Sequence, residues 1–131
     1  MYAEIDYQSA PIFAGDTPSY VFQLVDTHDA HVPLSALATM VLFYYDLATL
    51  TVLNGRQGQD VKNINNVWIT ADGFVTWDLQ VADTTRVAGV TGLATHEAVF
   101  TFSYTDSGSL RVKSHKARFF ITDAAFVAAA P

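Results

Sequence analysis

The sequence predicts an all-β chain folded as a sandwich of antiparallel sheets with short helical turns. Three observations predict it. Val, Ile, Thr and aromatic residues are abundant, and such residues suit a pleated, half-buried surface. Glutamate occurs only at Glu4 and Glu97, while aspartate recurs beside glycine, serine and threonine. Glutamate favours helices and aspartate favours turns. Finally, turn signals recur at short intervals along the whole chain.

Taken in order, Gly15-Asp16-Thr17-Pro18 is a turn and Ser19 to Asp26 a strand. Tyr20, Phe22 and Leu24 share one face of it, and Val21, Gln23 and Val25 the other. Thr27 to Val32 is a polar turn. Pro33 to Leu37 reads as a helical turn, with proline at a tolerated first position. Thr39 to Tyr45 is apolar throughout, so both of its faces are expected to be covered, inside a sandwich or by a neighbour. Thr49 to Leu53 is a strand ended by Asn54-Gly55. Arg56 to Asn66 is polar and reads as an extended loop.

Val67 to Thr70 and Phe74 to Leu79 flank Ala71-Asp72-Gly73 as a hairpin. Val67, Ile69, Val75, Trp77 and Leu79 suit its inner face. Ala82 to Val87 reads as a short helix capped by Asp83. Gly89 to Thr95 is a connection. Glu97 to Tyr104 is a strand with Phe100, Phe102 and Tyr104 on one face. Asp106 to Ser109 is a turn, and Leu110 to Thr122 one long strand. Seven or more short strands at this spacing, without a long helix, define an immunoglobulin-like sandwich. A small barrel or a jelly roll is the alternative.

The chain has 131 residues, half of them hydrophobic and only 15% charged. That is one domain, 1–131, able to bury a core, with 124–131 as an apolar C-terminal tail. The composition excludes disorder, and no apolar run approaches the ~20 residues of a membrane span. There is no cysteine, so disulfides and thiolate metal sites are excluded. A net charge of −6 argues against direct nucleic-acid binding. Met1-Tyr2-Ala3-Glu4 has no basic or apolar signal region. The chain has too few charges to cover its own outside, which points to assembly.

Patterns of chemistry are sparse. Asp26, His28, Asp29 and His31 form the one His/Asp cluster, but it sits where a turn already requires such residues. His96 and His115 stand alone and read as surface or lightly packed residues. Gly-x-Ser-x-Gly and phosphate-binding loops are absent. The reading is therefore a non-enzyme with no catalytic residue, no metal and no cofactor.

Interface candidates are clearer. Arg111, Lys113, Lys116 and Arg118 are four of the seven basic residues. They read either as a protected edge hairpin or as an electrostatic docking face. Alternation points Trp68 outward, partly covered by the Arg56 to Asn66 segment or serving as a protein anchor or sugar platform. Tyr44 and Tyr45 lie on opposite faces of one strand, so one is a surface anchor. Phe126 and Val127 are the candidate anchors of the tail on a neighbouring subunit.

A family resemblance follows from particular stretches. Ile12-Phe13-Ala14-Gly15-Asp16-Thr17 leads into Tyr20-Val21-Phe22-Gln23-Leu24-Val25-Asp26, then Val32-Pro33-Leu34-Ser35 and the apolar strand Met40 to Tyr45. Arg118-Phe119-Phe120-Ile121-Thr122-Asp123 closes the chain's last hairpin. Together these resemble the small immunoglobulin-like modules of tailed-phage structural proteins, among them the N-terminal module of baseplate upper proteins. Asn54 to Val61 also resembles stretches of phage proteins. The Arg56 to Asn66 segment and the Ala-rich tail depart from that shorter module. The resemblance implies a virion protein made in the bacterial cytoplasm and placed in the head–tail neck, the tail or baseplate, or on the capsid as decoration. Its partners would be other virion proteins and copies of itself, without membrane or direct nucleic-acid contact. It carries over no catalytic residue. The alternative is a carbohydrate-binding, host-recognition module in which Trp68 meets a host glycan.

Overall fold

The computed structural model describes residues 5–88 and 92–122. Among them, eight strands form two sheets. β1 (Ile5–Phe13), β8 (Ser109–Thr122), β7 (Ala94–Asp106), β3 (Leu37–Asp46) and β4 (Val52–Asp60) lie side by side in that order. β2 (Ser19–Gln23), β6 (Phe74–Asp78) and β5 (Val67–Ile69) make the second sheet. This is the immunoglobulin-like partition of strands, with the first strand joined to the larger sheet. Neither sheet closes into a barrel.

The core follows from alternation. Inward residues from both sheets meet around Trp77, which is fully buried. Tyr44, Phe100 and Phe119 set their rings edge-on to it at 5.0, 5.7 and 5.8 Å between ring centres. Edge contacts of this kind suit the charge distribution of aromatic rings. Tyr20, Phe22, Leu24, Val67, Ile69, Val75, Leu79, Phe102 and Tyr104 are buried as the strand faces predict.

Two turns show why their residues are needed. β5 and β6 close through Thr70–Gly73, where Gly73 has φ +83°. A side chain there would stand 2.1 Å from the Val32 carbonyl oxygen, so only glycine fits. β7 and β8 close through Ser107-Gly108, both with positive φ, as a tight hairpin turn requires. A short 3-10 turn, Leu34–Ala36, falls where Pro33 to Leu37 predicts it.

Three expectations need correction. The Ile5–Phe13 segment is a strand that the turn pattern does not mark, and it pairs with β8 in parallel, from Ile5↔Lys116 to Phe13↔Thr122. Its alternation is broken by a register shift between Gln8 and Ile12, around Pro11, which has no N–H for a ladder. The Arg56 to Asn66 loop begins as strand, over Arg56 to Asp60. β4 runs on through Asn54-Gly55 to Asp60, and those residues form a bulge in place of a turn. Between the pairs Phe43↔Gln57 and Tyr45↔Val52, β4 spends three more residues than β3. Lastly, the helix α1 is Val81–Thr84, and Asp83 is its third residue, not its cap. Its carboxylate accepts the Gln80 N–H at 2.8 Å, completing a capping box.

Candidate functional site

The bulge in β4 matters because it turns Leu53 and Arg56 inward. Arg56 is buried and meets Asp83 twice, Nε to Oδ1 at 2.6 Å and Nη2 to Oδ2 at 3.0 Å. Its guanidinium lies over the Trp77 ring, 5.4 Å from the centre. Asn54 also donates to Asp83, at 3.0 Å. Tyr44 donates its hydroxyl proton to the Asp83 carbonyl at 2.8 Å and takes a hydrogen bond from His96 Nδ1 at 3.1 Å. Burial, with the Asp83 charge nearby, pushes the Tyr44 hydroxyl well above its ordinary pKa. The arrangement holds β4, α1, β3 and β7 together. Arg56, Asp83, Tyr44 and His96 are all buried, so it is an internal brace.

His96 and His115 are therefore not surface residues. His96 is fully buried and His115 half-buried, because each shares the inward face of its strand. Burial lowers the pKa of both. His96 Nε2 stands 3.8 Å from Asp46 Oδ2. His115 stacks on Phe22 with ring centres 4.0 Å apart and donates Nε2–H to the Tyr20 hydroxyl at 2.7 Å. Tyr20 in turn donates to Asp6 at 2.5 Å.

The outer face of the five-stranded sheet is different. Strand pairing defines its rows. One row is Tyr45, Glu97, Arg118 and Tyr7 on β3, β7, β8 and β1; the next is Gln57, Phe43, Val99 and Lys116 on β4, β3, β7 and β8. Glu97 is only 4% exposed although it points outward. The Tyr45 hydroxyl donates to one of its carboxylate oxygens and Arg118 Nε to the other at 2.9 Å. Arg118 lies over the Tyr7 ring at 5.6 Å. The one acid at the centre of the face is thus already fully partnered.

Beside this ladder lies an apolar groove of roughly 460 Å3, lined by Phe43, Tyr45, Leu50, Val52 and Val99 among others. Phe43 and Val52 are 38% and 39% exposed, and Leu50 70%. Gly58, beside the Phe43 ring, has φ +66°, a backbone conformation that favours glycine. The expectation that both faces of Thr39 to Tyr45 are covered holds among the described residues for the inner face alone.

The sequence-predicted residues scatter. Tyr45, Lys116 and Arg118 meet on this face. Tyr44 is fully buried, so of the two tyrosines only Tyr45 reaches the surface. Arg111 and Lys113 pair with Tyr104 and Phe102 and so take the other side of the sheet. Lys113 is tied to the Asp26 carbonyl at 2.9 Å. The four basic residues therefore form no single patch. Trp68 is 54% exposed on the opposite, three-stranded sheet. Of the Arg56 to Asn66 segment, Arg56 to Asp60 belongs to β4 in the other sheet, and residues 61–66 lead into β5, where the Asn63 side chain accepts the Ile69 N–H at 2.6 Å. The Trp68 indole N–H donates to Asp78 at 2.9 Å, and Ser19 donates to the same carboxylate at 2.7 Å. These two bonds lower the Asp78 pKa. Phe126 and Val127 lie outside the described residues.

The Asp26 carboxylate accepts the backbone N–H groups of Ala30 and His28, at 3.0 and 2.7 Å, which lowers its pKa and is the chemistry of a turn. Among the described residues no three His, Asp or Glu side chains are placed to hold a metal. Sequence reasoning missed Leu50, Val52, Val99 and Glu97 as parts of one surface. Alternation around Phe43 and the rarity of glutamate were the available signals.

The fold and this face define an all-β sandwich with an immunoglobulin-like strand order and a partly apolar outer sheet. No family model matches the chain, and no curated protein sequence matches it.

Proposed function

We propose that the protein is a non-enzymatic structural subunit of a tailed-bacteriophage particle that docks through its five-stranded face. The observation that carries the docking is the exposed apolar surface of Phe43, Val52 and Leu50 beside a fully partnered Glu97. An apolar patch on a charge-poor chain favours contact with protein over contact with water. The phage assignment rests on the resemblance of the opening strands and last hairpin to virion modules. Its place is the head–tail neck, the tail or baseplate, or the capsid exterior, with virion proteins as partners and neither nucleic acid nor membrane in direct contact.

Cosedimentation of the purified chain with capsid and tail fractions tests this. Binding is expected, and Phe43→Glu is expected to abolish it while leaving the melting temperature unchanged. No binding to either fraction overturns the reading.

The exposed Trp68, beside Thr76, Ser19 and Asp78, favours a second reading as a host-glycan platform. A glycan array that responds to wild type but not to Trp68→Ala supports it, and an array silent for both removes it.

A further inference from the structure

We infer that the five-stranded face is closed by a second copy of this chain, related by a two-fold axis that lies between the copies and runs along the strands above β7 and β3. The inference rests on the docking reading above and names its occupant.

The charge pattern selects this occupant. On the four strands β8, β7, β3 and β4 the outward charges are Lys116, Arg118, Glu97 and Asp60, which sum to zero. The whole chain carries −6. Two copies therefore repel elsewhere but meet here without net repulsion. The zero sum is also polar across the sheet. The positive side chains stand on β8 and the acid Asp60 on β4, at opposite edges of this strand set. A two-fold contact places one surface against itself.

Only one of the two possible in-plane axes satisfies these charges. An axis across the strands would lay β8 on β8 and set Lys116 and Arg118 against themselves. An axis along the strands reverses the strand order, so β8 of one copy covers β4 of the other. Lys116 then stands over the Gln57 level of the facing β4, one row from Asp60. A lysine side chain spans that step. Lys116 makes no hydrogen bond or ion pair within its own chain among the described residues, unlike Arg118 and Lys113.

The centre of such a contact is already prepared. Phe43 and Val99 flank the axis on β3 and β7, so the apolar groove of each copy receives the Phe43 side of the other. Glu97 next to them has both oxygens occupied and needs no new partner when water leaves. Four strands at about 4.8 Å spacing and ~20 Å of strand length give a projected footprint on the order of 400 Å2. That is about half of the roughly 800 Å2 per partner of a standard interface, the size of a weak dimer.

Sedimentation equilibrium of the full chain, with light scattering, tests the inference. Wild type is expected to dimerise, and Phe43→Glu to weaken association by roughly thirty-fold or more. Lys116→Glu and Asp60→Lys are each expected to weaken it. An equimolar mixture of those two variants is expected to restore dimers, because both cross-contacts then pair opposite charges. Melting temperatures of all three variants equal to that of wild type at a dilution where it is monomeric confine the effect to the contact. A wild type that stays monomeric up to about 1 mM overturns the second copy as occupant. A dimer indifferent to Phe43→Glu, or a mixture that fails to recover, overturns it as well. The docking reading is judged separately by the virion fractions. If wild type is monomeric yet Phe43→Glu still loses those fractions, the face docks a different protein and only the present inference fails.

Discussion

Two arginine–carboxylate pairs tie strands of this sandwich together, one inside it and one on its outer face. Arg56 and Asp83 are 2% and 0% exposed and meet through two hydrogen bonds. The Arg118 and Glu97 side chains are 26% and 6% exposed and meet through one. The chemistry is the same, but the surroundings decide the use. Inside, Asn54, Gln80 and the Trp77 ring complete the pair, and both charged groups are buried. Outside, Arg118 reaches solvent and Tyr7, so it is not stranded if Glu97 goes. The inner pair is a structural brace. The outer pair neutralises the middle of a face that is otherwise apolar.

The sharpest way to break this contrast is Asp83→Ala. It strands a buried guanidinium and is expected to cost about 3–5 kcal/mol, read by urea unfolding. Replacing both partners, as Arg56→Met with Asp83→Leu, is expected to recover most of that loss, because no uncompensated charge then remains. A double variant as unstable as Asp83→Ala would show that the bulge geometry, not the charge, is the weak point.

Glu97→Ala tests the outer pair by the same measurement. It leaves the Tyr45 hydroxyl and Arg118 without their acceptor, at an expected cost of about 1–3 kcal/mol. A loss equal to that of Asp83→Ala would erase the distinction between brace and face.

The inner histidines add a pH dependence. Burial holds the pKa of His96 and His115 below the usual 6.5. The unfolded chain therefore takes up protons first as pH falls, and stability declines from pH 6.5 downward. Asp26 and Asp78, lowered by their hydrogen bonds, lose their contribution only near and below pH 3.8, so the windows are separate. Melting temperature is expected to fall between pH 7 and pH 5, and His115→Gln to flatten that fall. An identical slope in the variant would assign it to other groups.

The smallest effect belongs to Trp68→Ala on the other sheet. With half its surface in water and one bond to Asp78, it is expected to change stability by less than about 1 kcal/mol. A larger loss would mean that the three-stranded face is itself a structural support.

Much of the fold was legible because period-two alternation carries it directly. Tyr20-Phe22-Leu24 and Phe100-Phe102-Tyr104 face inward as their spacing demands. The same rule applies to His96 and His115, and reading them as isolated polar residues set it aside. β1 was not legible, since its partner lies over a hundred residues away and Pro11 breaks its pattern. Asn54-Gly55 carried a true local signal, positive φ, that serves a bulge as well as a hairpin. Of the candidate face, Tyr45, Lys116 and Arg118 were visible as single residues. Their association with Val52, Val99 and Glu97 depends on strand register.

By itself, the sequence determined the β class, most strand faces, the β5–β6 and β7–β8 hairpin turns and a charge too sparse to cover the outside. These are local properties, set by side-chain period and by backbone angles that glycine and asparagine accept. Only the tertiary structure decided which strands lie side by side. That choice sent Arg56 inward to Asp83, moved Arg111 and Lys113 away from Lys116 and Arg118, and set Phe43, Val52 and Val99 side by side on one face. Strand order and register are non-local, because they are set by which faces bury together, and no window along the chain contains them.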